Sequence, residues 1–269
     1  YTSVHYKTEC RFFAMDTSQI ASFALIAAGA FLAGGMNAIA GGGTFFSFPA
    51  LLAAGVPPVT ANASNTVALW PASLSSAWAY RREAMQHRKW ALILMGVSLV
   101  GGITGGLLLL ATSNAAFSKM IPWLLLVATL LFAFSAQVSK LIAAIKNRLG
   151  AAQSNEPGSL GGACFQLVVA IYGGFFGAGL GILTLAALSI QGFKDMQELN
   201  ALKNVASAVN YTVAATTFIV AGAVSWPHTL VMLGTAMLGG YAGAAFARRL
   251  PALWLRRFVV LVGSALTAI

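Results

Sequence analysis

The chain has 269 residues, of which 58% are hydrophobic and 8% charged, and its mean hydropathy is +0.80. Soluble domains carry about 25% charged residues, so this composition excludes an ordinary water-soluble globular protein and points to an all-α polytopic membrane protein. The net charge of +10 is not a nucleic-acid signature, because the cations sit in short clusters between apolar runs, where they act as topology signals.

Residues 1–18 form an N-terminal tail without an apolar core of signal-peptide type, and Met15-Asp16-Thr17-Ser18 reads as a more natural start than Tyr1. Apolar segments then run over Gln19–Ala40, Thr44–Ala54, Asn62–Tyr80, Trp90–Ala111 and Met120–Ile142, making a first transmembrane unit over 19–145. A polar linker, 146–159, is followed by a second unit, 160–269. Its apolar segments are Leu160–Ala178, Gly181–Ile190, Ala201–Ala223, Thr229–Ala247 and Pro251–Ile269. Ile269 closes the chain inside an apolar run, which reads as an incomplete end. A full span needs about 20 residues, so the short second segment of each unit is a half-helix, a tilted span or a re-entrant segment. Cys10 and Cys164 give no disulfide framework, and Cys164, inside an apolar run, reads as a packed thiol.

The first span ends in Gly34-Gly35-Met36-Asn37-Ala38-Ile39-Ala40-Gly41-Gly42-Gly43-Thr44. Each glycine costs a helix interior roughly 1 kcal/mol against alanine, so three in a row predict a break. Backbone left open at membrane depth survives only where protein or a water-filled cavity covers it. The helix restarting at Thr44 offers free N–H groups and a positive dipole end, which suit an anion. A tight helix–helix turn packed through small residues is the other reading of the same stretch.

The two units match. Gly34-Gly35 and Gly173-Gly174 lie 139 positions apart, as do Gly42 and Gly181, and Asn65 and Asn204. Five elements, a linker and five similar elements predict an internal duplication. The loop Arg81, Arg82, His87, Arg88, Lys89 is expected in the cytoplasm, whereas its counterpart Ser225-Trp226-Pro227-His228 has no Lys or Arg and is expected outside. The linker and Arg248-Arg249 are expected inside. Five crossings per unit satisfy every loop, and an odd number inverts the second unit relative to the first. In inverted repeats the substrate site lies at their interface, at broken helices. The second break is Gly177-Ala178-Gly179-Leu180-Gly181.

A polar stretch follows each short segment: Thr60 to Thr66, and Asn200 to Asn204. Helix capping accounts for Asn62 and Asn200. Asn65, Asn204 and Asn37 fall deeper, where a buried amide must bond to backbone or substrate. Lys203 either lines a pathway or snorkels to the cytoplasmic interface. The six acidic residues fall in predicted tails and loops, which argues against a carboxylate-based proton or sodium site. His5, His87 and His228 lack metal-ligand spacing, and no nucleophile–base pair or phosphate loop is present. Neither an enzyme nor any cofactor is expected.

The Gly-rich break followed by Phe-Pro-Ala-Leu-Leu, the Gly-Val-Pro-Pro turn and Ala-Asn-Ala-Ser-Asn-Thr resembles the TauE/SafE sulfite-exporter family. Gly-Leu-Gly-Ile-Leu and Leu-Asn-Ala-Leu-Lys-Asn in the second unit are similar to that family's repeat, and the likeness runs from about Ser18 onward. The resemblance implies export of small sulfur oxyanions or organosulfonates across the bacterial inner membrane. It places the substrate at Asn37, Gly41, Gly42, Gly43, Thr44, Asn65, Gly179, Gly181, Lys203 and Asn204. The second break lacks the run of three glycines, so the half-sites are expected to contribute unequally. The expected partners are a small anionic substrate and the bilayer, with a homodimer as the assembly considered. A non-transporting scaffold, in which the breaks only pack helices, and a cation or metal permease are the competing readings.

Overall fold

A computed structural model describes residues 17–39, 43–133, 160–191, 193 and 195–247. Gly41, Gly42, the 146–159 linker, Arg248-Arg249 and the segment Pro251–Ile269 lie outside the described residues, as does nearly all of the N-terminal tail. Among the described residues every regular element is a helix. They are α1 (Thr17–Ile39), α2 (Thr44–Ala53), α3 (Pro58–Ala79), α4 (Arg81–Gln86), α5 (Arg88–Ala111), α6 (Asn114–Ala133), α7 (Leu160–Phe175), α8 (Leu180–Ile190), α9 (Met196–Val220) and α10 (Trp226–Ala247).

Several helices extend beyond their apolar runs. The α3 helix starts at Pro58, with proline in the first turn where no N–H is needed, so Asn62 lies one turn inside and is not a cap. Instead its Nδ2 donates to Phe175 O at 2.9 Å, pinning the end of α7. The α9 helix starts at Met196 and is capped by Asp195, whose Oδ1 accepts from Gln197 N at 2.7 Å. Asn200 therefore sits inside the helix as well, and Lys203 lies about two turns in. Helix α4 carries the basic loop and contains Glu83, and Glu198 is in the first turn of α9, so these two carboxylates are helical rather than in loops. Cys164 is exposed on α7 rather than packed.

Two described helices, α1 over Gln19–Asn37 and α5, are long and apolar enough to cross a membrane on length and composition. The 10-residue α2 and 11-residue α8 reach only about 15 and 16 Å, half of a hydrocarbon core.

Packing runs through glycine. A Cβ at Gly34 would overlap Ala236 O, and one at Gly239 would overlap Phe31 O, so α1 and α10 cross backbone to backbone. Phe23 stacks on His228 at 5.1 Å nearer the start of both, which makes these helices run in the same direction. In α5 and α7 the contacts are Gly101 with Ala170 and Gly105 with Ile171 and Gly174, again in the same direction. Meanwhile the outer face of α5 exposes Leu92, Leu99, Val100, Leu107 and Leu108. Glycines inside and leucines outside reverse the soluble pattern. Lipid is as apolar as leucine, so close packing of small residues takes over as the cohesive term.

Helices α3 and α9 cross at the centre in opposite directions. Ser225, just past α9, donates its N–H to Ser64 Oγ at 2.9 Å, while Trp70 Nε1 donates to Thr212 Oγ1 at 2.8 Å. Helix α9 runs with α5, since Gly102 meets Asn210 and Val213 and Gly106 approaches Thr217 and Phe218.

Candidate functional site

The short helix α2 folds back along α1. Its Gly43 has no room for a side chain: a Cβ there would meet Ala33 O and lie 3.3 Å from Asn37 Cβ. That brings Asn37, half-buried, against the start of α2. The N-cap position of α2 is Gly43, which has no side chain to form a cap.

A buried polar cluster fills this end of α2. Thr44, Ser47 and Asn65 are 4%, 0% and 1% exposed, in surroundings otherwise built from Phe45, Phe48 and Leu51. Ser47 Oγ donates to Asn65 Oδ1, and Asn65 Nδ2 donates to Thr44 Oγ1 at 3.4 Å. Two hydroxyls and an amide thus converge where α2 begins. Between them they offer rotatable O–H and N–H donors that can turn toward an acceptor.

The second break is a tight turn. Gly177 and Gly179 have φ of 78° and 76°, left-handed conformations that residues with a Cβ rarely adopt. The Tyr172 hydroxyl donates to Ala178 O at 2.8 Å and holds the turn against α7. A Cβ at Gly177 would lie 3.6 Å from the hydroxyl of Tyr211, which comes from the middle of α9 and so stands beside the second break. Gly179 faces Ala128 of α6. Gly181 is not part of the turn; it lies in the first turn of α8, where a Cβ would be 3.5 Å from Lys203 Cδ.

The expected site residues therefore fall into two groups. Asn37, Gly43, Thr44 and Asn65 meet at the start of α2. Gly181 and Lys203 meet at the start of α8, and Lys203 stands about 12 Å along α9 from Tyr211. Asn204, half-buried, leaves α9 about 100° round from Lys203, so the structure does not bring it onto the Gly181 side. The positions matching Thr44, Ser47 and Asn65 in the second unit are Leu183, Ala186 and Asn204, so the two ends differ in polarity.

Sequence reasoning missed Ser47, Tyr211 and Tyr172. The available signal was Lys203, Ser207 and Tyr211, polar residues four apart along one face of an apolar helix. All three are half-buried. Among the described residues no group of His, Cys, Asp and Glu could hold a metal ion.

Comparison with known proteins is consistent along the chain. The family profile described as "Sulfite exporter TauE/SafE" matches residues 26–269. A "Probable membrane transporter protein" of Haemophilus influenzae is 30% identical over 244 residues, 88% of this chain and 90% of the relative. "Probable membrane transporter protein YfcA" of Escherichia coli is 26% identical over 240 residues, 89% and 86% of the two chains. "Probable membrane transporter protein ORF9" of Sinorhizobium sp is 28% identical over 242 residues, 88% and 87%. No solved structure matches the chain significantly. The match to the profile spans both polar groups, and the protein belongs to the TauE/SafE sulfite exporter family, as a membrane transporter and not an enzyme.

Proposed function

We propose that the protein is a multi-pass secondary transporter of the bacterial inner membrane that exports small anions of the sulfite or organosulfonate class. It is built from two inverted repeats, and the substrate binds where the two breaks meet.

Helix directions support the repeat reading. Under the 139-residue correspondence α3 matches α9, and these two run antiparallel. In the same scheme α1 matches α7 and α5 matches α10, and α1 packs along α10 as α5 packs along α7. That exchange of partners is what a two-fold axis in the membrane plane produces. Trp78, 69% exposed beside Arg81 at the end of α3, and Trp226, 48% exposed at the start of α10, suit the two interfacial layers.

The observation that carries the substrate class is the buried Thr44–Ser47–Asn65 cluster at the start of α2. Its donors, with the dipole of α2, favour oxygen-bearing anions. Lys203 adds a positive charge farther along α9, toward the cytoplasmic end in the charge-based orientation. Anions then meet a cationic side chain on the way to a neutral donor cluster. Alternating access comes from rocking one repeat against the other.

The test is uptake into proteoliposomes with sulfite, sulfate, methanesulfonate, acetate and sodium as separate probes. Flux of sulfur oxyanions that is saturable and exceeds acetate flux is the expected result. No flux of any probe supports the scaffold reading, and sodium flux without anion flux overturns the anion assignment.

A further inference from the structure

We infer that the end of α3 and the short helix α4 form a docking surface for an anionic glycerophospholipid, with its phosphate on Arg81 and Arg82 and its acyl chains along Leu74 and Trp78. The inference is independent of which solute the protein carries, and it uses only exposed surface and the membrane setting.

Charge is the first argument. Arg81, Arg82, Arg88 and Lys89 follow directly on the α3 span, and all four side chains are exposed. The carboxylates close by are directed elsewhere: Glu83 is half-buried on the other side of α4, and Glu198 lies 3.0 Å from His87. Among the described residues none of the four cations has a carboxylate partner. A cluster of uncompensated cations just beyond an apolar span suits an acidic headgroup.

Geometry is the second. Successive residues of α4 turn by about 100°, which puts Arg81, Arg82, Met85 and Gln86 on one arc and Glu83 and Ala84 on the other. Burial follows that division: the first four are exposed, Met85 by 64%, and Ala84 is buried. Helix α4 packs on α9, so its outer arc is left to the surroundings. That arc continues an apolar ridge on α3, where Leu74 and Trp78, one turn apart, are both exposed. Arg81 joins the two surfaces. Its guanidinium stacks 4.4 Å from the Trp78 ring centroid, and its Nη1 donates to Trp78 O at 2.8 Å. The fork is thus fixed at the level where the ridge ends, with further N–H groups to offer a phosphate.

The opposite end of the molecule shows what the cations add. Val220, 82% exposed, and exposed Trp226 give a similar apolar and aromatic surface there, yet residues 221–228 contain no Lys or Arg. An exposed tryptophan suits any membrane interface. The arginines beside Trp78 select an acidic lipid over a zwitterionic one. A soluble phosphate would meet the arginines and leave the ridge unused, so a lipid is the occupant that fits both. Held on the outer arc, it braces α4 against α9, and its binding is read as stability.

The experiment titrates the purified protein in neutral detergent with dioleoyl phosphatidylglycerol or dioleoyl phosphatidylcholine. It reads the unfolding temperature and the lipid retained in native mass spectrometry. Phosphatidylglycerol is expected to raise the unfolding temperature, and to be retained, at lower concentration than phosphatidylcholine. Each surface cation contributes about a fivefold factor, so the double variant Arg81→Gln/Arg82→Gln should weaken phosphatidylglycerol about 25-fold and leave phosphatidylcholine unchanged. Helix α6 starts beside the start of α3, where Val59 N donates to Asn114 Oδ1 at 3.0 Å, so exposed Lys119 lies far from Trp78. Lys119→Gln is therefore expected to keep the wild-type lipid affinity. Equal affinity of wild type for the two lipids overturns the inference. So does wild-type phosphatidylglycerol affinity in the double variant, or a comparable loss in Lys119→Gln. Stabilisation by glycerol 3-phosphate at similar concentration would make this a soluble-anion site and overturn the lipid assignment. If the double variant fails to fold, wild type titrated at rising ionic strength decides. An exposed headgroup contact weakens with salt, and a phosphatidylglycerol affinity that salt leaves unchanged overturns it.

Discussion

The side chain of Lys203 lies across Gly181: a Cβ added to that glycine would sit 3.5 Å from Lys203 Cδ, in ordinary van der Waals contact. This pairing places the ammonium stem over the first turn of α8, and it separates the two roles considered for the lysine. A path-lining charge at about 4 Å from an anion gains roughly 4 kcal/mol at an effective dielectric of 20, much of which desolvation offsets. The remaining scale is about 1.4 to 2.8 kcal/mol, a tenfold to hundredfold loss of affinity in Lys203→Gln. A snorkelling lysine would tolerate Gln. Lys203→Arg keeps the charge but brings a planar fork and is expected to recover affinity only in part. Direct binding of sulfite to purified variants reads the difference.

Gly181 itself gives a graded test. Alanine fits beside Lys203 as the structure stands, whereas leucine must displace the lysine stem. Gly181→Ala is expected to keep flux near wild type, and Gly181→Leu to lose it with little change in unfolding temperature. Flux per folded molecule at the wild-type level in Gly181→Leu would mark the position as a packing feature.

How much of this could be read in advance depends on what each residue signals locally. The breaks were legible because Gly41-Gly42-Gly43 and Gly177 to Gly181 interrupt apolar runs in register. Asn65 was legible because an amide inside an apolar segment needs a partner. Helix starts were not, because hydropathy marks the membrane core and not the helix: α9 begins at the Asp195 cap, well before its apolar part. Tyr211 was hidden by amphipathic chemistry. A tyrosine in a span is ordinary, and only folding brings its hydroxyl beside Gly177 at the second break. The partner of Lys203 was equally a matter of tertiary geometry.

The glycine crossings make a prediction about stability alone. Gly239→Ala would drive a Cβ into Phe31 O, backbone that cannot swing aside. Pushing α1 and α10 apart is expected to cost about 1–3 kcal/mol, the range for overpacked sites. Gly96 on α5 and Gly234 on α10 have open space at the same atom, so alanine there should hold or raise stability by up to about 1 kcal/mol. Unfolding in detergent under identical conditions compares the three. Equal losses at all of them would point to helix-wide effects instead of the crossing.

His87 Nε2 lies 3.0 Å from Glu198 Oε1, joining the turn after α4 to the start of α9. Phe193 packs edge-on against both His87 and Trp90 beneath it. Each partner is about a third exposed, so Glu198→Gln is expected to cost less than about 1 kcal/mol, and the effect should shrink in high salt. Phe193→Ala removes a buried ring and should cost more, about 3–5 kcal/mol. A larger loss for Glu198→Gln than for Phe193→Ala would show that charge, not packing, holds this end together.

The last prediction concerns which ends of the helices face which compartment. Because α3 and α9 run antiparallel, the end of α3 that leads to Gln86 lies opposite the end of α9 at Ala221. Helix α3, with 22 residues, is about 33 Å long, enough to separate the two by a hydrocarbon core. Gln86 and Ala221 are both exposed, which makes them better labelling positions than Ser225, tied to Ser64 and His228. Arg81, Arg82, Arg88 and Lys89 surround Gln86, whereas the turn after Ala221 has no Lys or Arg, so Gln86 is expected to react from the cytoplasmic side. With Cys10 and exposed Cys164 first replaced by serine, single cysteines at the two positions should react with a membrane-impermeant maleimide from opposite sides of oriented vesicles. Reaction from one side only, for both, would place the two ends together and overturn the crossing of α3 and α9. Opposite sides with the assignment reversed would keep the inverted repeats and turn the whole protein over, moving Lys203 to the periplasmic end of the pathway.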